Sequence, residues 1–565
     1  MLGLVIIALV NIIGSYMFTR IDLTSEKRYS LSDETKELLR DLDDYVFFRV
    51  YLEGDFPAGF KRLRNATKEM LDEFRAYTDY IDYEFINPSA ADDPKERQST
   101  YQLLVESGLQ PTDLQVKTGE GQSSRIIFPG ALVTYKAEEI PVELLKTQFG
   151  LPSEAQLNNS IQFLEFNLSN TIKKLTQGQK PKVAYIEGHG ELGPDETADL
   201  MATLAADYSV ERIAPEGQLN SLTERIARDT ADTRILNKYD AIIIAKPDST
   251  FSEQDKFIID QFIMRGGKVL WLIDPVLASM DSIQNQESTV GVAKDLKLED
   301  QLFRYGIRLN NDLVLDLNAL PIPLVVGQMG DQPQIELFPW YYFPILTPVS
   351  DHPIVKNLNV IKTEFVSSID TIAVPGIKKT ILLKTSPYSR TVSTPVFISL
   401  RMISEEPDEQ LYRGPAQPVA VLLEGEFKSL YQNRIPPQIA HDKDIGFLEK
   451  SRPTSMVVVS DGDIVKNQFR TDGGYPLPLG YDKYTRRTFG NKEFVMNALA
   501  YLIDERGLIS IRSKELTIRM LDKTRVSENE LLVQIVNVSV PIILIIIYGL
   551  ISNYFRKRKY GRSWK

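Results

Sequence analysis

The chain has 565 residues, 43% hydrophobic and 25% charged, enough to build sizeable cores in about three or four domains of ~150 residues each. Its net charge of −11 offers no excess of cations to replace phosphate counterions, so nucleic acid is disfavoured as a partner. It contains no cysteine, which removes disulfides, Cys-ligated metal, thiol nucleophiles, CxxC redox chemistry and a lipid-bearing cysteine anchor.

The chain opens MLGLVIIALVNIIGSYMFTR, with no charge before Arg20. That reaches the lower limit for a membrane span of ~17–25 residues. Tyr16, Met17 and Phe18 stand where a cleavage site needs small side chains. Residues 1–19 are therefore predicted as an uncleaved transmembrane helix, and the missing basic lead suggests that the true start lies upstream.

Residues 28–150 form the next unit. Ser30 or Ser32 can cap a helix through Leu39, and Tyr45 to Leu52 reads as a buried strand. Phe60, Leu63, Thr67, Met70, Leu71, Phe74 and Tyr77 recur at helical spacing, and Ile81, Tyr83 and Phe85 alternate as in a strand. A helix near Ser99–Ser107 and strands near Asp113–Lys117 and Arg125–Tyr135 complete the order. It resembles a thioredoxin-like fold without the cysteines, hence a binding or structural module. Residues 151–178 then present one apolar stripe through Leu157, Ile161, Leu164, Leu168, Ile172 and Leu175, a long connecting helix.

Residues 181–505 alternate near-continuous apolar strands (KVAYIEG, SVERIAP, YDAIIIAKP, KVLWLIDP and SMVVVSDGD) with amphipathic helices. That pattern predicts a parallel sheet covered on both faces, an α/β domain. Ser252 caps one helix and Gly266–Gly267 ends it. A Pro-rich, strand-like stretch at about 320–440 is read as a β-rich insertion or an added β region. Residues 506–530 are expected to link to a second span at 531–555, which is free of charge and carries Pro541. The basic tail 556–565, with Arg556, Lys557, Arg558, Lys559 and Arg562, places the C-terminus in the cytoplasm. Two spans then put both termini inside and the large domain outside the inner membrane.

In an open parallel sheet, ligands bind beyond the carboxyl ends of the strands. The loop Glu187, Gly188, His189, Gly190 and Glu191 belongs there, as do Asp274, Asp461 and Asp463. His189 and the three aspartates could converge as metal ligands or a general-base site. Alternatively, the glycines permit a tight turn and the aspartates satisfy loop amides. No Ser or Cys occupies a sharp strand-to-helix elbow, and no G-x-x-x-x-G-K-[ST] phosphate loop occurs, so any ATP is bound elsewhere. In ELFPWYYFPIL, Phe338, Trp340, Tyr341, Tyr342 and Phe343 form either an exposed surface for a partner or a strand covering a core.

The order of parts carries a resemblance: a first span followed by DLTSEKRYSLSDETKELL, then KVAYIEGHGELGPDE, GGKVLWLIDP, and GLISIRSKELTIRMLDK before the last span. It resembles the gliding-motility-associated (GldG) components of ABC transport systems and, more widely, the auxiliary extracytoplasmic subunits of such systems. The resemblance implies an ATPase subunit and a permease subunit as partners and a role in gliding motility or envelope export. It implies no cofactor and no catalysis, with an envelope or cargo partner outside. The middle region is similar to flavodoxin- and class I amidotransferase-like parallel-sheet domains and to a domain of an intraflagellar transport protein. The amidotransferase chemistry is not carried over, because its cysteine has no counterpart. Rival readings are an envelope hydrolase using His189 and nearby carboxylates, and a solute- or glycan-binding protein.

Overall fold

In the computed structural model the described residues are 31–118, 121–146, 152–229, 232–286, 288–329, 332–470, 474–504, 507–513 and 530–560. The predicted first span lies outside them. The chain divides into two units, whose described parts are residues 31–513 and the helix at 530–560.

The first unit begins with helix α1 (Asp33–Arg40), capped by Ser32, whose hydroxyl accepts from the Thr35 amide at 3.2 Å. Strand β1 (Val46–Val50), helix α2 (Ala58–Tyr77) and strand β2 (Ile81–Phe85) form a parallel βαβ unit. Strands β3 (Gly130–Tyr135) and β4 (Glu138–Glu143) add antiparallel pairs, giving the order β2-β1-β3-β4. The predicted strand from Arg125 to Tyr135 is broken at Phe128–Pro129, so residues up to Ile127 pair instead with 112–118 as a separate hairpin. Proline has no amide to donate, which suits it to such a break.

The predicted connecting helix is two helices, α3 (Ser153–Gln162) and α4 (Leu164–Thr176), meeting at Phe163. The Phe163 amide is shared between the Asn159 and Ser160 carbonyls, at 3.1 and 3.2 Å. Leu157, Leu164, Leu168 and Ile172 join Phe48, Leu63 and Phe74 in the first core. Leu508 and Ile511 belong to it as well, so the stretch after 506 begins as packed structure. Asp504 fixes that return. It accepts from Lys173 Nζ and from the Ile509 amide, both at 2.8 Å.

The α/β region is built on a ten-stranded sheet. Strands β5 (Lys182–Ile186), β6 (Ser209–Ile213), β7 (Ala241–Ala245) and β8 (Lys268–Leu272) are parallel. Strands β9 (Ala319–Met329), β10 (Gln332–Pro348), β11 (Ile377–Lys384) and β12 (Pro418–Gly425) run antiparallel to one another, and β13 (Thr454–Val459) joins the two halves. It pairs parallel with β8 and antiparallel with β12. The β-rich stretch therefore continues the central sheet instead of standing apart. Strands at 223–229 and 232–237, absent from the sequence reading, pair with each other and, among the described residues, with no other strand.

Alternate residues of the parallel strands enter two cores. Tyr185, Ile243, Leu270 and Val457 face helices α5 (Ala198–Asp207) and α7 (Asn491–Ile503) through Leu200, Leu204, Phe494 and Leu499. Ile242, Ile244, Trp271 and Val458 face helix α6 (Glu253–Met264) through Ile259, Phe262 and Ile263. Burial on both faces explains why these strands read as unbroken apolar runs.

The aromatic stretch covers a core. Trp340, Tyr342 and Phe343 are buried with Leu313, Leu315 and Phe365, while Phe338 and Tyr341 are half-buried. An exposed aromatic partner surface is therefore corrected: β10 is covered on both faces here, so the adjacent Tyr342 and Phe343 are both buried. Trp340→Ala should cost about 3–5 kcal/mol, read as an earlier chemical-denaturation midpoint. An unchanged midpoint would return Trp340 to the surface.

The second unit is helix α8 (Glu530–Tyr560), containing Pro541. Its segment Asn537–Arg558 is 22 residues long, apolar enough to cross a membrane, with none of its apolar window buried. At 1.5 Å per residue it reaches about 33 Å, matching a hydrocarbon core of about 30 Å.

Candidate functional site

The carboxyl ends of β7, β8 and β13 bring Lys246, Asp274, Asp461 and Asp463 together. Lys246 follows β7 directly and adopts a left-handed backbone (φ 54°), which sends its side chain across the strand ends. Its ammonium lies 3.2 Å from Asp274 Oδ2 and bonds Asp463 Oδ2. The Gly462 amide donates to Asp274 Oδ1. Asp461 is fully buried and accepts from the Asp463 amide at 2.8 Å and the Glu364 amide at 3.0 Å. A Cβ at Gly462 would overlap Lys246, reaching 2.8 Å from its Cα, so the close crossing of these loops requires glycine.

The electrostatics follow from burial. Desolvation pushes the Asp274 and Asp461 carboxyls above the usual range, with Asp463 adding like-charge repulsion to both. Glu364 is raised in the same way, by burial and then by Asp463. Burial opposes the charge on Lys246, but Asp274 and Asp463 outweigh it and hold the ammonium protonated. One carboxylate oxygen from each of Asp274, Asp461 and Asp463 lies within 4.8 Å of the others, the spacing of a metal ligand set. The Lys246 ammonium already performs a cation's task there. Ser460 is not poised as a nucleophile either: its hydroxyl is buried and donates to the Ser367 carbonyl.

His189 does not join this cluster. Its ring stacks on Phe251 at 3.7 Å and 11°. Nε2 lies 3.2 Å from Asp255 Oδ2, and Nδ1 lies 3.3 Å from Glu191 Oε1. Its carbonyl accepts from the Asp248 and Ser249 amides at 2.8 and 2.9 Å, tying the loop after β5 to the loop after β7. Gly188 and Gly190 have φ of 107° and 76°, and a Cβ at Gly190 would press on Asp248 at 3.0 Å. Glu187 pairs with Arg212, which also donates to the Leu192 carbonyl at 2.7 Å and lies over the Tyr185 ring at 4.1 Å. The predicted site thus separates into a lysine-centred carboxylate cluster and a histidine-stapled turn. Sequence reasoning missed Lys246, Asp255 and Glu364. Lys246 carried one signal, a charge directly abutting the apolar run AIIIA.

Desolvation lowers the His189 pKa, but Glu191 and Asp255 prevail and raise it above the usual imidazole value. A raised folded-state value means that its contribution is complete below the unfolded pKa of about 6.5 and fades as pH rises through the folded value. His189→Ala should therefore cost about 1–3 kcal/mol below pH 6 and less at pH 9, as measured by denaturation at both pH values. Equal costs would remove the charged histidine from the account.

Removing Lys246 leaves buried carboxylates without their counter-charge. Lys246→Ala should destabilise by about 3–5 kcal/mol at neutral pH. The loss should shrink as the pH falls and the carboxyls protonate, because the variant's folded state then binds more protons than its unfolded state. A pH-independent loss would reduce Lys246 to a packing residue.

The fold and these sites define a mixed α/β protein with a helix fit for a membrane and a strand-end crevice closed by its own side chains. Residues 180–498 match the ABC transport auxiliary family, described as an ABC-type uncharacterized transport system, and the chain belongs to that family. Residues 25–134 match a domain of unknown function, DUF7088. An uncharacterized protein of Borreliella burgdorferi is 22% identical, covering 99% of this chain and 97% of that protein. Among solved structures, the mmIFT52 N-terminal domain aligns over 57% of this chain and 97% of its own length, at 13% identity and a TM-score of 0.29.

Proposed function

We propose that the protein is a non-catalytic, membrane-anchored subunit of an ABC transport complex, partnered by an ATPase subunit and a permease subunit. The family match over residues 180–498 carries this reading. The apolar segment Asn537–Arg558 supports membrane association, and the lysine-closed crevice supports a role without catalysis.

The finer reading places both termini in the cytoplasm and the large domain in the periplasm. The apolar N-terminus and the basic cluster at Arg556–Lys559 support it. Gliding motility or envelope export is the process proposed, on the order of sequence blocks shared with the GldG components. The pairing of β1, β2, β3 and β4, one parallel and two antiparallel contacts, supports a thioredoxin-like reading of residues 31–146. Without cysteines that domain serves binding, and the rigid sheet behind it serves to pass ATPase-driven movement to a cargo or envelope partner.

Affinity capture of the full chain from detergent-solubilised membranes should recover an ATPase and a multispanning permease in fixed ratio. Recovery of the chain alone from such membranes would defeat the proposal.

A further inference from the structure

The βαβ unit of the N-terminal domain opens a cleft of about 610 Å³ at the carboxyl ends of β1 and β2. Its size falls within the range of small-ligand sites, ~300–1,000 Å³. Tyr51 and Glu53 follow β1, Asn87 and Ser89 follow β2, and the hairpin residues Leu114 and Arg125 close the far side. Gly54 turns the chain at φ 143° beside Asn87.

The walls are built. Asn87 Oδ1 accepts from the Ser89 amide at 3.0 Å, and the Ser89 and Tyr101 hydroxyls are 2.8 Å apart. The Tyr101 ring lies 5.4 Å from that of Phe128, which is buried. This fixes an aromatic floor, with Phe56 at the rim.

The charges on the walls are not balanced. Glu53 accepts from Arg64 Nε and Nη2, at 2.9 and 2.6 Å, and Asp55 pairs with Lys61 at 3.3 Å. Both carboxylates are thus matched by cations that do not line the cleft. Arg97 and Arg125 line it, and among the described residues neither pairs with a carboxylate. Arg97 spends one N–H on the Ala91 carbonyl at 3.2 Å, and Arg125 is exposed. An aromatic-floored cleft that keeps two guanidinium groups in reserve is chemically matched to an organic anion. Arginine's fork takes a carboxylate or phosphate through paired, charge-assisted hydrogen bonds.

We propose that this cleft binds a carboxylate- or phosphate-bearing ligand whose ring or apolar body rests on Tyr101, which Phe128 backs. The site is independent of the transport reading, since it draws only on residues 51–128.

Calorimetric titration of the full chain in detergent tests it with four probes. N-acetylphenylalanine carries ring and carboxylate, its amide carries the ring alone, acetate carries the anion alone, and phenyl phosphate replaces the carboxylate. N-acetylphenylalanine or phenyl phosphate should bind, and whichever is tighter identifies the anion. The amide and acetate should each bind at least roughly tenfold more weakly. Arg125→Gln and Arg97→Gln should each weaken the anionic probe by a similar factor while leaving the unliganded melting temperature unchanged. Equal binding of the amide, no saturation by either ring-bearing anion at millimolar concentration, or full affinity in both arginine variants would overturn the assignment. Arg125 is exposed on the hairpin, so its variant folds irrespective of the outcome for Arg97.

Discussion

The α/β domain is organised around one ammonium group. Lys246 leaves β7 with a left-handed backbone and places its charge among carboxyls supplied by the ends of β8 and β13. Parallel strands cannot be joined by tight hairpins, so their carboxyl ends are set by crossover loops that must be held relative to one another. Here the holding is electrostatic. Removing water from several carboxyls is costly, and Lys246 at the centre, with Lys294 and Lys362 nearby and backbone donors, offsets that cost. Glycine at 462 and the amides of Gly462, Asp463 and Glu364 complete the arrangement. The loop carrying Glu364 is thereby bound to the strand ends although it lies about a hundred residues away in sequence from β13.

The fold's periodic parts were legible in the sequence. The apolar runs at 182–186, 241–245, 268–272 and 454–459 were legible because strands buried on both faces leave no polar positions to confuse the pattern. Helix boundaries with a physical marker were legible too: Ser252 accepts from the Asp255 amide and caps α6 as expected. What sequence did not carry was pairing at long range. The stretch at 320–440 looked like an insertion because prolines interrupt it, yet β11 and β12 extend the main sheet through contacts that no local pattern encodes.

The candidate site shows the same division. Asp274, Asp461 and Asp463 were found because each ends a recognisable strand, and position on a known architecture is a local property. Their counter-ion was not found, because a lysine after an apolar run looks like an ordinary solvent-facing residue. His189 drew attention through rarity, one of three histidines in the chain. Its actual partners, Asp255 at a helix start and Phe251 just before it, are sixty residues away and give no signal of pairing. Rarity marked the residue but not its role, which is to staple two loops.

The two strand-end crevices of the molecule solve the same geometric problem in opposite ways. Ends of parallel strands concentrate backbone donors and open a natural hollow. In the α/β domain that hollow is filled by Lys246 and its carboxyls, and its histidine loop is tied down. In the N-terminal domain it remains open and aromatic, with Glu53 and Asp55 matched from outside and Arg97 and Arg125 facing in. A self-filled crevice converts a potential binding site into a brace that holds the strand-end loops together. The hollow that could take a ligand is the unfilled one of the N-terminal domain. The division of labour follows from where each crevice spends its charges, inward on itself in one case and outward in the other.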